Sequence, residues 1–203
     1  QKRVHIDSIH HALPVLSLNI NSGSKSIING FLTDSKITYK GFSVSAKNDS
    51  AIHMDAQLTR LKSPSFVADT ITMSMQQQAD SLLWSMRMDN RPGTMDDFAH
   101  VKLSGDLSPT GLRASVNQKD ISNKTGYKIG TFIEILDSVI YMRLTPEHPV
   151  IAYKEWSVNK DNYISYDINH MHFEADLQAN CGNSYLQIKT NHDHSGTGHS
   201  DDK

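Results

Sequence analysis

Apolar residues recur at every second position along most of this chain. Ile52, Met54, Ala56 and Leu58 alternate with His53, Asp55, Gln57 and Thr59. Ile71, Met73 and Met75 alternate with Thr70, Thr72 and Ser74, and Leu82, Trp84, Met86 and Met88 with Leu83, Ser85, Arg87 and Asp89. Ala99, Val101 and Leu103 continue the pattern, followed by Leu112, Ala114 and Val116, then Met171, Phe173, Ala175 and Leu177. Successive side chains of a strand point to opposite faces. A period of two held this long therefore specifies strands with one apolar and one polar face.

Turn chemistry separates the runs. Asn48-Asp49-Ser50, Lys62-Ser63-Pro64, Asn90-Arg91-Pro92-Gly93, Ser108-Pro109-Thr110-Gly111 and Asn159-Lys160-Asp161-Asn162 are clusters of this kind. Strand centres are expected near residues 54, 72, 85, 102, 114, 142, 153, 165, 174 and 187. The expected fold is all-β, with consecutive antiparallel neighbours in a meander or solenoid-like stack. At most one short helix is expected, over Lys25–Leu32, where Ile27, Ile28, Phe31 and Leu32 have helical spacing and Ser24 is placed to cap it. Gly126 and Gly130 read as sites of crowding or bulging within a strand. Residues 1–190 form one β-repeat region, and Asn191–Lys203, which has no large apolar residue, is expected to be a flexible tail.

Composition narrows the function. The hydrophobic fraction is 37%, below the roughly 45–50% of ordinary domains even after glycine is added, which favours a thin, elongated body. Twenty basic and 22 acidic residues argue against nucleic-acid binding, which needs a basic excess. Cys181 is the single cysteine, so no intrachain disulfide can form, and it reads as an incidental thiol in a Cys-Gly-Asn turn. No apolar run reaches the ~18 residues of a membrane span. The chain starts at Gln1 without a leader, and it is expected to be either a processed protein or an internal piece of a longer one.

Candidate chemistry is sparse. His170 and His172 are spaced to share a strand face, and His192, His194 and His199 lie in the tail. A zinc site needs three or four ligands held by supporting hydrogen bonds, so these histidines read as solvated. No Gly-x-Ser-x-Gly elbow or phosphate loop is present. Neither an enzyme activity nor a cofactor is expected. The methionines are more informative. Met54, Met73, Met75, Met86 and Met88 all fall on apolar faces, where flexible thioethers either fill a core or line a groove for guests of variable shape. The candidate groove comprises Ile52, Met54, Leu58, Ile71, Met73, Met75, Trp84, Met86, Met88, Val101, Leu103, Leu112, Val116 and Phe173. The alternative is a carbohydrate-binding or adhesive module that stacks sugars on Trp84, Trp156, Tyr163 and Tyr166.

One region carries a family resemblance. Asp137-Ser-Val-Ile-Tyr-Met-Arg-Leu-Thr-Pro146 is followed by Pro149-Val-Ile-Ala-Tyr-Lys-Glu-Trp-Ser-Val-Asn-Lys-Asp-Asn-Tyr-Ile164. The order of a strand, Pro-x-x-Pro, tyrosine, Trp-x-Val-Asn and Asp-Asn-Tyr-Ile resembles a segment of the large TamB-type translocation and assembly module proteins of the Bacteroidetes kind, which are related to AsmA-like proteins. Looser matches are Leu13-Pro14 before Leu16–Ile20, Asp69-Thr70-Ile71, and Phe98 through Gly105-Asp-Leu107, so the resemblance covers most of residues 13–190. It implies a long sheet curled into a trough, a β-taco, with an apolar inside. It also implies a periplasmic location in a parent protein anchored to the inner membrane by a helix, and neighbouring repeats of that parent chain as partners. The implied roles are phospholipid transport between the two membranes and outer-membrane protein assembly with an Omp85-type partner. The resemblance supplies no catalytic residues, and it has no place for the histidine-rich tail. A lone piece of such a sheet, with open ends, is expected to stack end to end.

Overall fold

The alternation is realised as a single sheet. The structure, a computed structural model, describes residues 5–94 and 96–190. Its strands are β1 (Ser17–Gly23), β2 (Gly41–Asn48), β3 (Ile52–Lys62), β4 (Val67–Gln78), β5 (Ser81–Asp89), β6 (His100–Ser108), β7 (Gly111–Lys119), β8 (Thr125–Leu136), β9 (Val139–Ile151), β10 (Lys154–Glu155), β11 (Ser157–Val158), β12 (Tyr163–Asp167), β13 (His172–Cys181) and β14 (Ser184–Lys189). Every pairing is antiparallel, and the sheet is curled without closing on itself. The all-β, consecutive-neighbour fold expected from the sequence is the one observed.

Beyond β9 the meander continues in disguise. β10 pairs with the end of β9, β12 pairs with its start, and β11 and β12 both pair with β13. Residues 154–167 therefore run as one interrupted strand between β9 and β13. β1–β9 supply nine lines, this strand a tenth, and β13 and β14 an eleventh and twelfth. At ~4.8 Å per spacing, eleven spacings span roughly 53 Å.

Several local expectations shift. The helix expected over Lys25–Leu32 is α2 (Ile27–Thr33), and its Ile27 and Phe31 are among the most exposed apolar residues. A second short helix, α1 (Ile6–Ala12), precedes the sheet. The strand centre expected near 153 is instead a two-residue turn in which Ala152 and Tyr153 take φ of 50° and 63°. A turn of this hand normally uses Asn or Gly. Here packing holds it, because Lys124 lies 5.3 Å from the centre of the Tyr153 ring and the Tyr153 N–H donates to the Gly126 carbonyl at 2.9 Å. β1, β2 and β8 were not among the expected strand centres. The glycine reading holds. Register shifts occur between Gln118 and Lys119 opposite Gly126, and between Lys128 and Gly130. A Cβ on Gly126 would stand 2.1 Å from the Gln118 amide oxygen. The expected tail, Asn191–Lys203, lies outside the described residues.

The core is small because the described residues form one sheet with no second sheet to pack against. Val158, Leu177 and Ala179 form a buried cluster with Leu144, Trp156 and Ile164 against it. Most other buried apolar residues are scattered, several of them alanines. The chain exposes 13908 Å², whereas a compact monomer of this mass exposes about 9,500 Å². The excess survives even if the undescribed residues are taken as fully solvated and their contribution, roughly 2,900 Å², is removed. This is the thin body that the low hydrophobic fraction implied.

Candidate functional site

Strand register sorts the candidate groove residues without reference to exposure. Paired residues share a face, so each chain of partners traces a row across the sheet. One row runs Met54–Met75–Trp84–Gly105–Ala114–Thr131–Leu144, and the next runs Ala56–Met73–Met86–Leu103–Val116–Ile129. A third runs Leu58–Ile71–Met88–Val101–Gln118–Tyr127. A fourth contains Leu82, Leu107, Leu112, Ile133, Met142 and Ile164, and Ile52 adjoins it through its N–H to the Gln77 side chain at 3.2 Å. All the candidates from Ile52 to Val116 thus lie in four adjoining rows of one face. Phe173 shares that face but stands apart, in a row with Ile135, Ile140 and Tyr166. Sequence reading missed Ile20, Val44, Ile129 and Ile133, which extend the same rows onto β1, β2 and β8.

The face is apolar but not sealed. Most of its side chains are partly exposed, and of the candidates only Met88 is buried. Among the described residues no second sheet covers it. Gly105 is needed in its row because a Cβ there would meet the Arg113 carbonyl oxygen at 1.9 Å and the Trp84 ring at 2.8 Å. The indole thus lies against the bare backbone of the neighbouring strand.

Polar side chains close the ends of the rows. Asn48, which shares the apolar face with Ile52, donates to the Pro14 carbonyl at 3.2 Å, and α1 packs against β5. At the other ends of the strands, Gln118 donates to the Asp97 carbonyl in the 3₁₀ turn Asp96–Phe98. Ser22 and Ser26 hydroxyls bond the Tyr39 hydroxyl at 2.7 and 2.9 Å, and the Tyr39 ring meets Phe42 edge-on. Connecting segments therefore rim the apolar face at both strand ends, while its long direction, across the strands, stays open. Apolar surface is also exposed at the β8–β9 and β12–β13 tips, through Ile135, Ile168, Met171 and Phe173. The Asp167 carboxylate organises that tip. It accepts from the Ser138 hydroxyl at 2.9 Å and from the Asn169 and His170 N–H groups, and it pairs with the His170 ring at 2.7 Å. The His170 contact first, then the other donors, hold its pKa down at about 2.

The opposite face is mostly polar, with Leu83 and Phe132 as apolar exceptions. Ser45, Asp55, Ser74, Ser85, Ser104 and Ser115 are successive partners, with the Ser74 and Ser85 hydroxyls 2.8 Å apart. A shallow hollow of about 370 Å³ opens there among Asn19, Ser43, Asp55, Gln57 and Thr72. At the strand ends Arg91 clamps Asp69 through Nε at 3.1 Å and Nη2 at 3.0 Å, while the Arg91 N–H donates at 2.7 Å. These contacts lower the Asp69 pKa to about 2. Beside it Arg60, with φ of 53°, is left out of the ladder between Thr59↔Thr70 and Leu61↔Ala68.

The other candidates do not assemble into a site. Trp84 and Tyr166 share the apolar face, Trp156 packs on the buried cluster, and Tyr163 points to the polar face beside Tyr141. His170 lies in a turn ahead of Met171, whose φ is 52°, so it does not share a strand face with His172. Each histidine has its own carboxylate, Asp167 and Glu174. His192, His194 and His199 lie outside the described residues. The stretch Asn159–Asn162 is a splice between strand segments. The Asn162 side chain accepts from Leu144 N–H at 2.7 Å and donates to its carbonyl at 3.2 Å, and the Asn159 side chain accepts from Gln178 N–H at 2.9 Å. Both amides stand in for backbone where the ladder is broken.

Fold and faces together define a one-layer antiparallel β protein with a continuous apolar face. Comparisons of the chain with protein-family models, curated proteins and solved structures find no match.

Proposed function

We propose that this chain is a non-enzymatic periplasmic scaffold whose apolar face carries phospholipid acyl chains between the inner and outer membranes. The observation that supports this most is the set of adjoining apolar rows, which extend over β1–β8 and are covered by no second sheet among the described residues. Eight strands give seven spacings, roughly 34 Å of apolar path, against the ~15 Å that one leaflet occupies in a ~30 Å hydrocarbon core. Each CH₂ covered contributes about 0.8 kcal/mol. The row Ile20–Val44–Ala56–Met73–Met86–Leu103–Val116–Ile129 lets a chain slide without meeting a polar residue, and methionines adapt to its shape. The periplasmic setting, the membrane anchor on the parent protein and a role in outer-membrane protein assembly with an Omp85-type partner come from the TamB-type resemblance.

The test is phospholipid transfer between donor and acceptor vesicles, with Met86→Lys and Leu103→Asp each placing a charge in the central row. Transfer by the parent chain and its loss in both variants, with unchanged circular dichroism, is the expected result. Equal transfer by all three proteins would overturn the reading.

A further inference from the structure

We infer that the two open edges of the sheet are complementary, so that β14 of one molecule adds to β1 of a second copy. No described strand lies beyond either edge. The twelve lines alternate in direction, and because twelve is even, β14 runs antiparallel to β1. A second copy displaced along the sheet without being turned over therefore presents β1 antiparallel to β14, with its apolar face on the same side.

Backbone phase fixes which residues meet. Asn48 N–H donates to the Leu16 carbonyl at 2.9 Å, so by alternation Leu18 and Ile20 point toward β2, and Ser17, Asn19 and Asn21 point outward. Thr190 N–H donates to the Ala175 carbonyl at 3.0 Å, so Leu186 and Ile188 point toward β13, and Tyr185, Gln187 and Lys189 point outward. Placing Gln187 opposite Asn19 brings Tyr185 to Asn21 and Lys189 to Ser17, each pair exchanging two backbone hydrogen bonds. The same register sets Leu186 beside Ile20 and Ile188 beside Leu18, extending the apolar rows and covering Leu18, Leu186 and Ile188, all exposed in the single chain. It opposes no like charges and matches one amide side chain to another.

Among the described residues neither edge strand carries a strong defence. Free edges are usually blunted by lysine, proline, a bulge or inward charge. β1 (Ser-Leu-Asn-Ile-Asn-Ser-Gly) carries none of these, and β14 has only Lys189 at its end. The contact is head-to-tail, so it propagates into chains and does not close as a dimer. It is independent of what the apolar face carries.

Sedimentation of the full chain over a wide concentration range, with Asn19→Pro and Gln187→Pro, tests this. Proline at an outward position removes a free edge donor and spares the molecule's own ladder. The expected result is growing chains for the parent and monomers for each variant alone. A mixture of the two should stop at a one-to-one dimer, because one supplies an intact β1 and the other an intact β14. A monomeric parent at all concentrations would overturn the inference, as would self-association of Asn19→Pro alone, which marks a two-fold β14 to β14 contact. If a proline variant loses its β spectrum, Asn19→Cys and Gln187→Cys, each in a Cys181→Ser background, replace it. A disulfide between the two proteins supports the pairing, and its absence from associated parent-like material refutes it.

Discussion

Truncating two leucines on the same face distinguishes an open surface from a sealed core. Leu177 is 4% exposed inside the cluster with Val158 and Ala179, so Leu177→Ala leaves a cavity among packed neighbours and costs about 3 kcal/mol. Leu103 lies in the row of Met73, Met86 and Val116, partly exposed, with no second sheet above it among the described residues. Leu103→Ala removes three carbons worth at most ~2.4 kcal/mol at full burial. Partial burial and the lack of an enclosed cavity reduce the cost to about 1.5 kcal/mol. Urea unfolding reads the difference. With m of ~2 kcal/mol/M, the two midpoints should differ by about 0.75 M, Leu177→Ala being the weaker. A loss for Leu103→Ala equal to or above that of Leu177→Ala would mean that the row of Leu103 is packed like an interior and that the face is closed.

Other consequences follow from single sites. Asp69 and Asp167 have folded-state pKa values held near 2, below their unfolded value, so their stabilisation is present above about pH 4 and fades as pH falls toward 2. Melting temperature should drop through that window, and Asp69→Asn or Asp167→Asn should flatten the drop while lowering stability at neutral pH. Gly105→Val should destabilise by about 3 kcal/mol or more and shift Trp84 fluorescence, since the new side chain collides with the Arg113 carbonyl and the indole. Asn162→Ala, which strips both partners from the Leu144 backbone, should cost about 2–3 kcal/mol in the same urea assay.

What the sequence made legible was whatever period two alone controls. Thirteen of the fourteen groove candidates lie in adjoining rows because antiparallel register preserves the alternation from strand to strand. The misses have local causes. β8 was hidden because Phe132 sits on its polar face, under the Arg113 guanidinium 5.0 Å away, while Thr131 sits on the apolar one. The Ala152–Tyr153 turn carries no turn residue and depends on contacts with Lys124 and Gly126. Asn159 and Asn162 read correctly as turn formers, but their role as backbone substitutes depends on β9 and β13, which no local pattern reveals. The aromatic residues looked alike in sequence, and register divides Tyr163 from Tyr166 onto opposite faces.

The proposed lipid path requires that acyl chains reach the apolar face. Its most direct test is a photo-crosslinking residue at Leu103, with Lys102 on the opposite face as control, irradiated in living Gram-negative cells. Phospholipid adducts at 103 and none at 102 are predicted. Absence of adducts at both positions in normally folded protein would overturn the proposed lipid path.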